Sequence, residues 1–140
     1  MAEIMGIAAA AIGILNTGAK ASVRLRQTFK TWINAPEELL ALHNEVEDLR
    51  VVINQISIAG TAVEAVSQQD ATFTKALREQ IDKAGVYLES LELLLDDISK
   101  IKKYKKRYRW VRQEGKVELR KGQFRNVRER IQALLVAHNV

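Results

Sequence analysis

The densest chemistry in this chain of 140 residues is cationic. Lys102, Lys103, Lys105, Lys106, Arg107, Arg109 and Arg112 fall within one short run, interleaved with Tyr104, Tyr108, Trp110 and Val111. Positive charge at this density attracts phosphate, on lipid headgroups or on nucleic acid. The aromatics could serve as platforms for stacked bases. Helical spacing gives a plainer account, in which Tyr104, Tyr108 and Val111 form one stripe facing a bundle. A basic helix with an aromatic and apolar face also suits an anionic membrane surface, where Lys102, Lys103, Lys105, Lys106, Arg107 and Arg109 would contact phospholipid. A solvated or internally paired basic face accounts for the same residues.

The parts of an enzyme are missing. The two histidines, His43 and His138, fall in different segments, and there is no cysteine. His43 follows the apolar Leu42 and reads as an imidazole on a helix surface, not as a general base or metal ligand. Gly115-Lys116 lacks both the following Ser or Thr and the earlier glycine of a phosphate-binding loop. Glu37-Glu38 and Asp96-Asp97 are adjacent pairs, which do not face each other on a helix and suit solvated faces. No catalytic residue, cofactor, metal or small-molecule substrate is expected.

Charge is unevenly spread along the chain. The net charge is +5, but residues 101–140 hold 13 Lys/Arg against 3 Asp/Glu, and residues 1–100 hold 9 against 14. A cationic last quarter on a mildly acidic body points to an anionic partner. Hydrophobic residues make up 47%, which excludes a disordered chain. A single proline and abundant Leu, Ala, Glu, Lys and Arg favour long helices within one domain. Without cysteine there are no disulfides or thiolate metal sites, and a reducing compartment is permitted.

The second conspicuous feature is the apolar start, Ile4 to Leu15 (IMGIAAAAIGIL), which carries no polar side chain. It is shorter than the roughly 20 apolar residues that span a bilayer. It is also more apolar all round than a surface helix, whose hydrophobic residues form one stripe. Such a segment must be buried in a bundle, covered by a partner or released into a membrane. At rest it is expected to be largely buried, since its exposure would create an aggregation-prone patch. Once released, Ile4, Met5, Ile7, Ile12, Ile14 and Leu15 would enter the acyl region. A secretory signal fits poorly, because the residues before the run are acidic and the basic Lys20, Arg24, Arg26 and Lys30 follow it. Copies of Glu3 around a pore would favour cations. More simply, Glu3 is an acid in a helix's first turn, where free N–H groups favour it.

Four helical segments position these residues. The first runs from about Glu3 to Ile33 and ends at Asn34-Ala35-Pro36, with Pro36 suited to the first turn of the next helix. In the second, Leu39, Leu42, Val46, Leu49, Ile53 and Ile56 step by three and four, as in a bundle seam. Gly60-Thr61 weakens that pattern, and Ser67 to Asp70 is a polar break. The third repeats the stepping through Phe73, Leu77, Ile81, Ala84, Leu88, Leu91, Leu95 and Ile98. The fourth, from about Tyr104, ends on Phe124, Val127, Ile131 and Leu134, with Gly115 and Gly122 predicting a kink or break. No strand, hairpin or repeat pattern appears. The fold class is therefore all-α, a single bundle of four main helices, or five if the last segment splits.

These residues together resemble a known family. The opening Met1-Ala2-Glu3-Ile4-Met5-Gly6-Ile7-Ala8-Ala9 is similar to the start of the HeLo-like domains, the fungal N-terminal domains of STAND (NLR-type) proteins. So is Ala35-Pro36-Glu37-Glu38-Leu39-x-x-Leu42-x-x-Glu45-Val46-x-x-Leu49-Arg50-x-Val52, the most specific part of the likeness. The Leu-rich third helix, the basic stretch and Arg109-Trp110 fit the same pattern, so that nearly the whole chain is covered. Gly115 and Gly122 depart from the regular last helix of that pattern. The resemblance implies a helical bundle similar in plan to the executioner bundle of mixed-lineage kinase-like proteins, standing as the N-terminal domain (residues 1–140) of a longer protein. It implies a role in programmed cell death or heterokaryon incompatibility, with copies clustering on activation and the N-terminal helix attacking the membrane. A C-terminal or partner sensor domain would supply the trigger. The domain would rest in the cytoplasm and act at the plasma membrane.

Three readings follow, in order. The first is a membrane-targeting effector domain with anionic phospholipid and further copies of itself as partners. The second is a non-lytic oligomerisation or protein-interaction module, and the third a nucleic-acid-binding helical domain. Only the first needs the apolar start.

Overall fold

The computed structural model describes residues 2–31, 37–100 and 106–140, with side chains for 6–30, 37–100 and 113–140. The described residues form five helices and no strand: α1 (Ala2–Thr31), α2 (Glu37–Ile58), α3 (Gly60–Gln69), α4 (Ala71–Ser99) and α5 (Lys106–Ala137). The all-α bundle follows from the periodicity. Leu39, Leu42, Val46, Leu49, Ile53 and Ile56 of α2 are buried, as is every stepped position of α4 from Phe73 to Ile98. In α5, Val117, Phe124, Val127 and Ile131 face the same core, which Leu135 completes while Leu134 packs half-buried against it.

The long helices stand as a ring in the order α1, α2, α5, α4, so that α1 faces α5 and α2 faces α4 across the diagonals. Side-chain pairings give their directions. Gly18 and Ser22 of α1 meet Arg50 and His43 of α2, so these helices are antiparallel. Gly6, Ile14 and Arg24 meet Arg78, Gly85 and Asp96 in rising order, so α1 and α4 are parallel. Phe73 and Tyr87 of α4 meet His138 and Phe124, so α4 and α5 are antiparallel. One end of the bundle thus gathers the start of α1, the end of α2, the start of α4 and the end of α5. The short α3 runs across this end.

The fifth helix arises at a different place from the one the glycines suggest. The chain bends by 75° between α2 and α3, at Ala59. By contrast α5 passes through Gly115 and Gly122 unbroken. Both glycines are exposed, so their cost is only the roughly 1 kcal/mol of a helical glycine, which the buried Val117 and Phe124 offset. Asp70 starts α4 as its N-cap, accepting from the Phe73 N–H at 3.1 Å. Beyond α5, Asn139 adopts a left-handed φ of 56° and Val140 N–H returns to the Leu135 carbonyl at 2.8 Å.

Candidate functional site

The candidate site is α1 and its seat between α2 and α4. Over Gly6–Lys30 this helix is long and apolar enough to cross a bilayer, a property it shares with core helices of soluble bundles. One face is buried: Ile7, Ala11, Ile14, Gly18, Ala21, Ser22 and Leu25. From Gly6 to Leu15 the helix is not largely buried, contrary to the expectation from its composition. Ile12 is 52% exposed, Leu15 is half-buried, and Ala8, Ala9 and Gly13 are exposed. The reason is geometric. A helix at a corner of a four-membered ring meets two neighbours, so its outward face meets solvent whatever residues it carries.

The front and rear of α1 are held by different forces. From Gly6 to Leu15 the seat is apolar apart from the Arg78 guanidinium against Gly6, with Ile14 against Gly85 so closely that a Cβ there would lie 3.2 Å from its Cδ1. From Gly18 onward the seat is polar. Ser22 donates its single hydroxyl proton to Glu47 and therefore accepts from Nε2–H of His43 at 3.0 Å. Arg50 pairs with both Glu47 oxygens at 2.9 and 3.1 Å, and its stem lies over Gly18. Burial acts to raise the Glu47 carboxyl, but the Ser22 hydroxyl and the Arg50 charge outweigh it and hold it below its ordinary value. On the other flank Arg24 reaches Glu92 and, at 2.7 Å, Asp96 of α4. Burial opposes the Arg24 charge, yet these two carboxylates raise its pKa.

This corrects the reading of His43 as a surface imidazole, since only 15% of its side chain is exposed and it sits at the α1–α2 contact. Ser22, His43 and Glu47 do not make a nucleophile relay. Glu47 meets the hydroxyl, whereas a relay needs the acid on the far ring nitrogen, and His43 Nδ1 has no partner. Ser22 itself is buried. Among the described residues no group of three or more His, Asp or Glu is placed to hold a metal ion. Asp96 is not merely a solvated acid but one half of the Arg24 anchor.

The remaining candidate residues divide by position. Ile7 and Ile14 point into the bundle, and Ile12 points out. The side chains of Glu3, Ile4 and Met5 lie outside the described residues, as do Lys102, Lys103, Tyr104 and Lys105 altogether. Lys106, Arg107, Tyr108, Arg109, Trp110 and Val111 belong to the first turns of α5, with side chains outside the described set. Those turns stand at the end of the bundle opposite the start of α1. The start of α1 and the cationic turns therefore stand at opposite ends of the molecule, about 45 Å apart for a helix of 30 residues, and the apolar run reaches half way along that length.

Sequence reasoning missed the polar seat of α1. Its one trace is that the small residues Gly18, Ala21 and Ser22 continue the buried face of Ile7, Ala11 and Ile14. Compared with protein-family models, curated proteins and solved structures, the chain matches none.

Proposed function

We propose that this domain is a membrane-targeting effector of programmed cell death or innate immunity, which acts by clustering and inserting its first helix into a bilayer. The observation that carries the reading is α1 itself. It has the length and apolarity of a membrane span, occupies a corner of the bundle, and keeps its front in place by apolar contact without an interhelical polar bond among the described side chains. The likeness to HeLo-like domains supports the same reading. Twelve helical residues reach only about 18 Å, so a span needs the following turns as well, with Lys20 and Arg24 extending to the headgroups. Leaving the bundle would break the Arg24 anchor, which gives the resting state its latch.

The test is dye release from liposomes together with toxicity on expression. Ile12→Glu is the informative variant, because Ile12 is exposed at rest and the substitution leaves the core intact, whereas Ile7→Glu would bury a carboxylate and unfold the seat. A carboxylate within the acyl region is strongly disfavoured, so Ile12→Glu is expected to abolish leakage and killing in a protein that still folds. If folded Ile12→Glu permeabilises like the parent, α1 is a core helix only and the proposal falls.

A further inference from the structure

Asp, Glu, Lys and Arg are absent from long stretches at one end of the bundle on three of its four long helices. No Asp, Glu, Lys or Arg occurs from Ile4 to Ala19, from Val51 to Val63, or from Ile131 to Val140. These stretches are far apart in sequence, yet the topology brings the front of α1, the end of α2 and the end of α5 to the same end, and α3 crosses it with Glu64 as its one charge. The other charges there are Glu3 in the first turn of α1, Asp70, Lys75, Arg78, Glu79, Asp82 and Lys83 at the start and on the first turns of α4, diagonally opposite α2, and His138 at the end of α5 where it pairs with Asp70.

Large apolar side chains stand exposed on the charge-poor side. Ile58 is 78% exposed, Val136 75% and Val51 59%, with Ile12 beside them. Val51 and Ile58 are two turns apart on one face of α2. Val136 is three turns beyond Arg125, which reaches Glu45 of α2, so it lies on the α2 flank of α5. Ile12 lies about 80° round α1 from Ser22, which faces α2, and about 120° from Arg24, which faces α4. The four residues therefore surround the second half of α2. Of their exposed polar neighbours, Asn54, Gln55, Ser57 and Thr61 are uncharged, and Asp48, one turn before Val51, places a charge at the edge of the face.

We propose that the folded bundle docks to a lipid surface through this face, with the last two turns of α2, from Val51 to Ile58, at its centre and with uncharged lipid sufficient. The proposal deepens the membrane reading above and rests on it for a bilayer as occupant, but it needs neither release of α1 nor the basic run. Two observations favour lipid over a second copy. The same end carries the start of α1, the one helix among the described residues that is long and apolar enough to span, and α2 with α3 passes the same test of length and apolarity as a bent pair. The opposite end is strongly charged, so the molecule is amphipathic along its long axis, and a planar apolar boundary draws the charge-poor end and its α2 flank toward it.

The test is co-flotation with phosphatidylcholine vesicles at about 0.1 and about 0.5 M salt, concentrations that span most of the screening range. The parent is expected to bind equally at both. Val51→Glu with Ile58→Glu is expected to weaken binding at least tenfold while thermal unfolding stays as in the parent, both sites being exposed. Binding that requires anionic lipid, or that ignores the double variant, overturns the proposal. So does a dimer, seen in sedimentation without lipid, that the double variant abolishes while phosphatidylcholine binding is absent. Docking without leakage would leave this proposal standing and remove the permeabilising function. Leakage of anionic vesicles without phosphatidylcholine binding would do the reverse.

Discussion

His138 joins the end of α5 to the start of α4 through both ring nitrogens. Nδ1 lies 2.9 Å from the Leu134 carbonyl and Nε2 3.1 Å from an Asp70 oxygen, while the ring packs on Phe73 at 4.5 Å. Both partners are acceptors, so only the imidazolium satisfies both, and the neutral ring must leave one nitrogen lone pair against an oxygen. The Leu134 carbonyl and, against some burial, the Asp70 charge raise the His138 pKa. The Phe73 N–H and then His138 lower that of Asp70. The signs define a window. His138 contributes stability below its unfolded value of 6.5, and that contribution is lost as pH rises through the raised folded value. Asp70 contributes above 3.8 and loses its contribution as pH falls through the lowered one. His138→Ala is therefore expected to lower the melting temperature more at about pH 5 than at about pH 9, and a loss independent of pH would refute the ionic tie.

At the scale of the element, α5 tests the balance between local propensity and packing. Gly115 and Gly122 sit in mid-helix where an added Cβ would meet nothing within 4 Å. Gly115→Ala and Gly122→Ala are each expected to stabilise the fold by about 0.5–1 kcal/mol in denaturant titrations, by removing unfolded-state freedom at no steric cost. The same residues show where a sequence misleads. Glycine reads as a breaker, yet α5 continues because Val117, Phe124, Val127 and Ile131 hold its inner face, and the bend falls instead at Ala59. The helices themselves were legible because steps of three and four residues repeat over six or more positions in α2 and α4. Capping by Asp70 within the polar break from Ser67 was partly legible, since that break marked the boundary before α4. The seat of α1 was not. Ser22 meets His43 and Glu47 across 21 and 25 residues, and Arg24 meets Glu92 and Asp96 across 68 and 72. No periodicity within one helix reports which polar residues of another will face it.

Across the whole molecule, the core is continuous from Ile7 in α1 to Leu135 in α5, with no second cluster among the described residues. Unfolding is expected to be a single transition, monitored alike by circular dichroism and hydrogen exchange. Leu49→Ala, at a position with 1% exposure, is expected to cost about 2–5 kcal/mol without splitting that transition. The up-and-down order of the ring has a further electrostatic consequence. Each long helix carries a macrodipole equivalent to about half a positive charge at its first turn and half a negative charge at its last. The charge-poor end holds two first turns, of α1 and α4, and two last turns, of α2 and α5, so the four half-charges cancel there. The axis of α3 crosses this end and adds no net pole to it. An end with few formal charges on three of its four helices, where the His138 imidazolium is matched by Asp70, is thus also nearly free of a net dipolar field, and the free-energy cost of bringing it to a medium of low dielectric is correspondingly reduced.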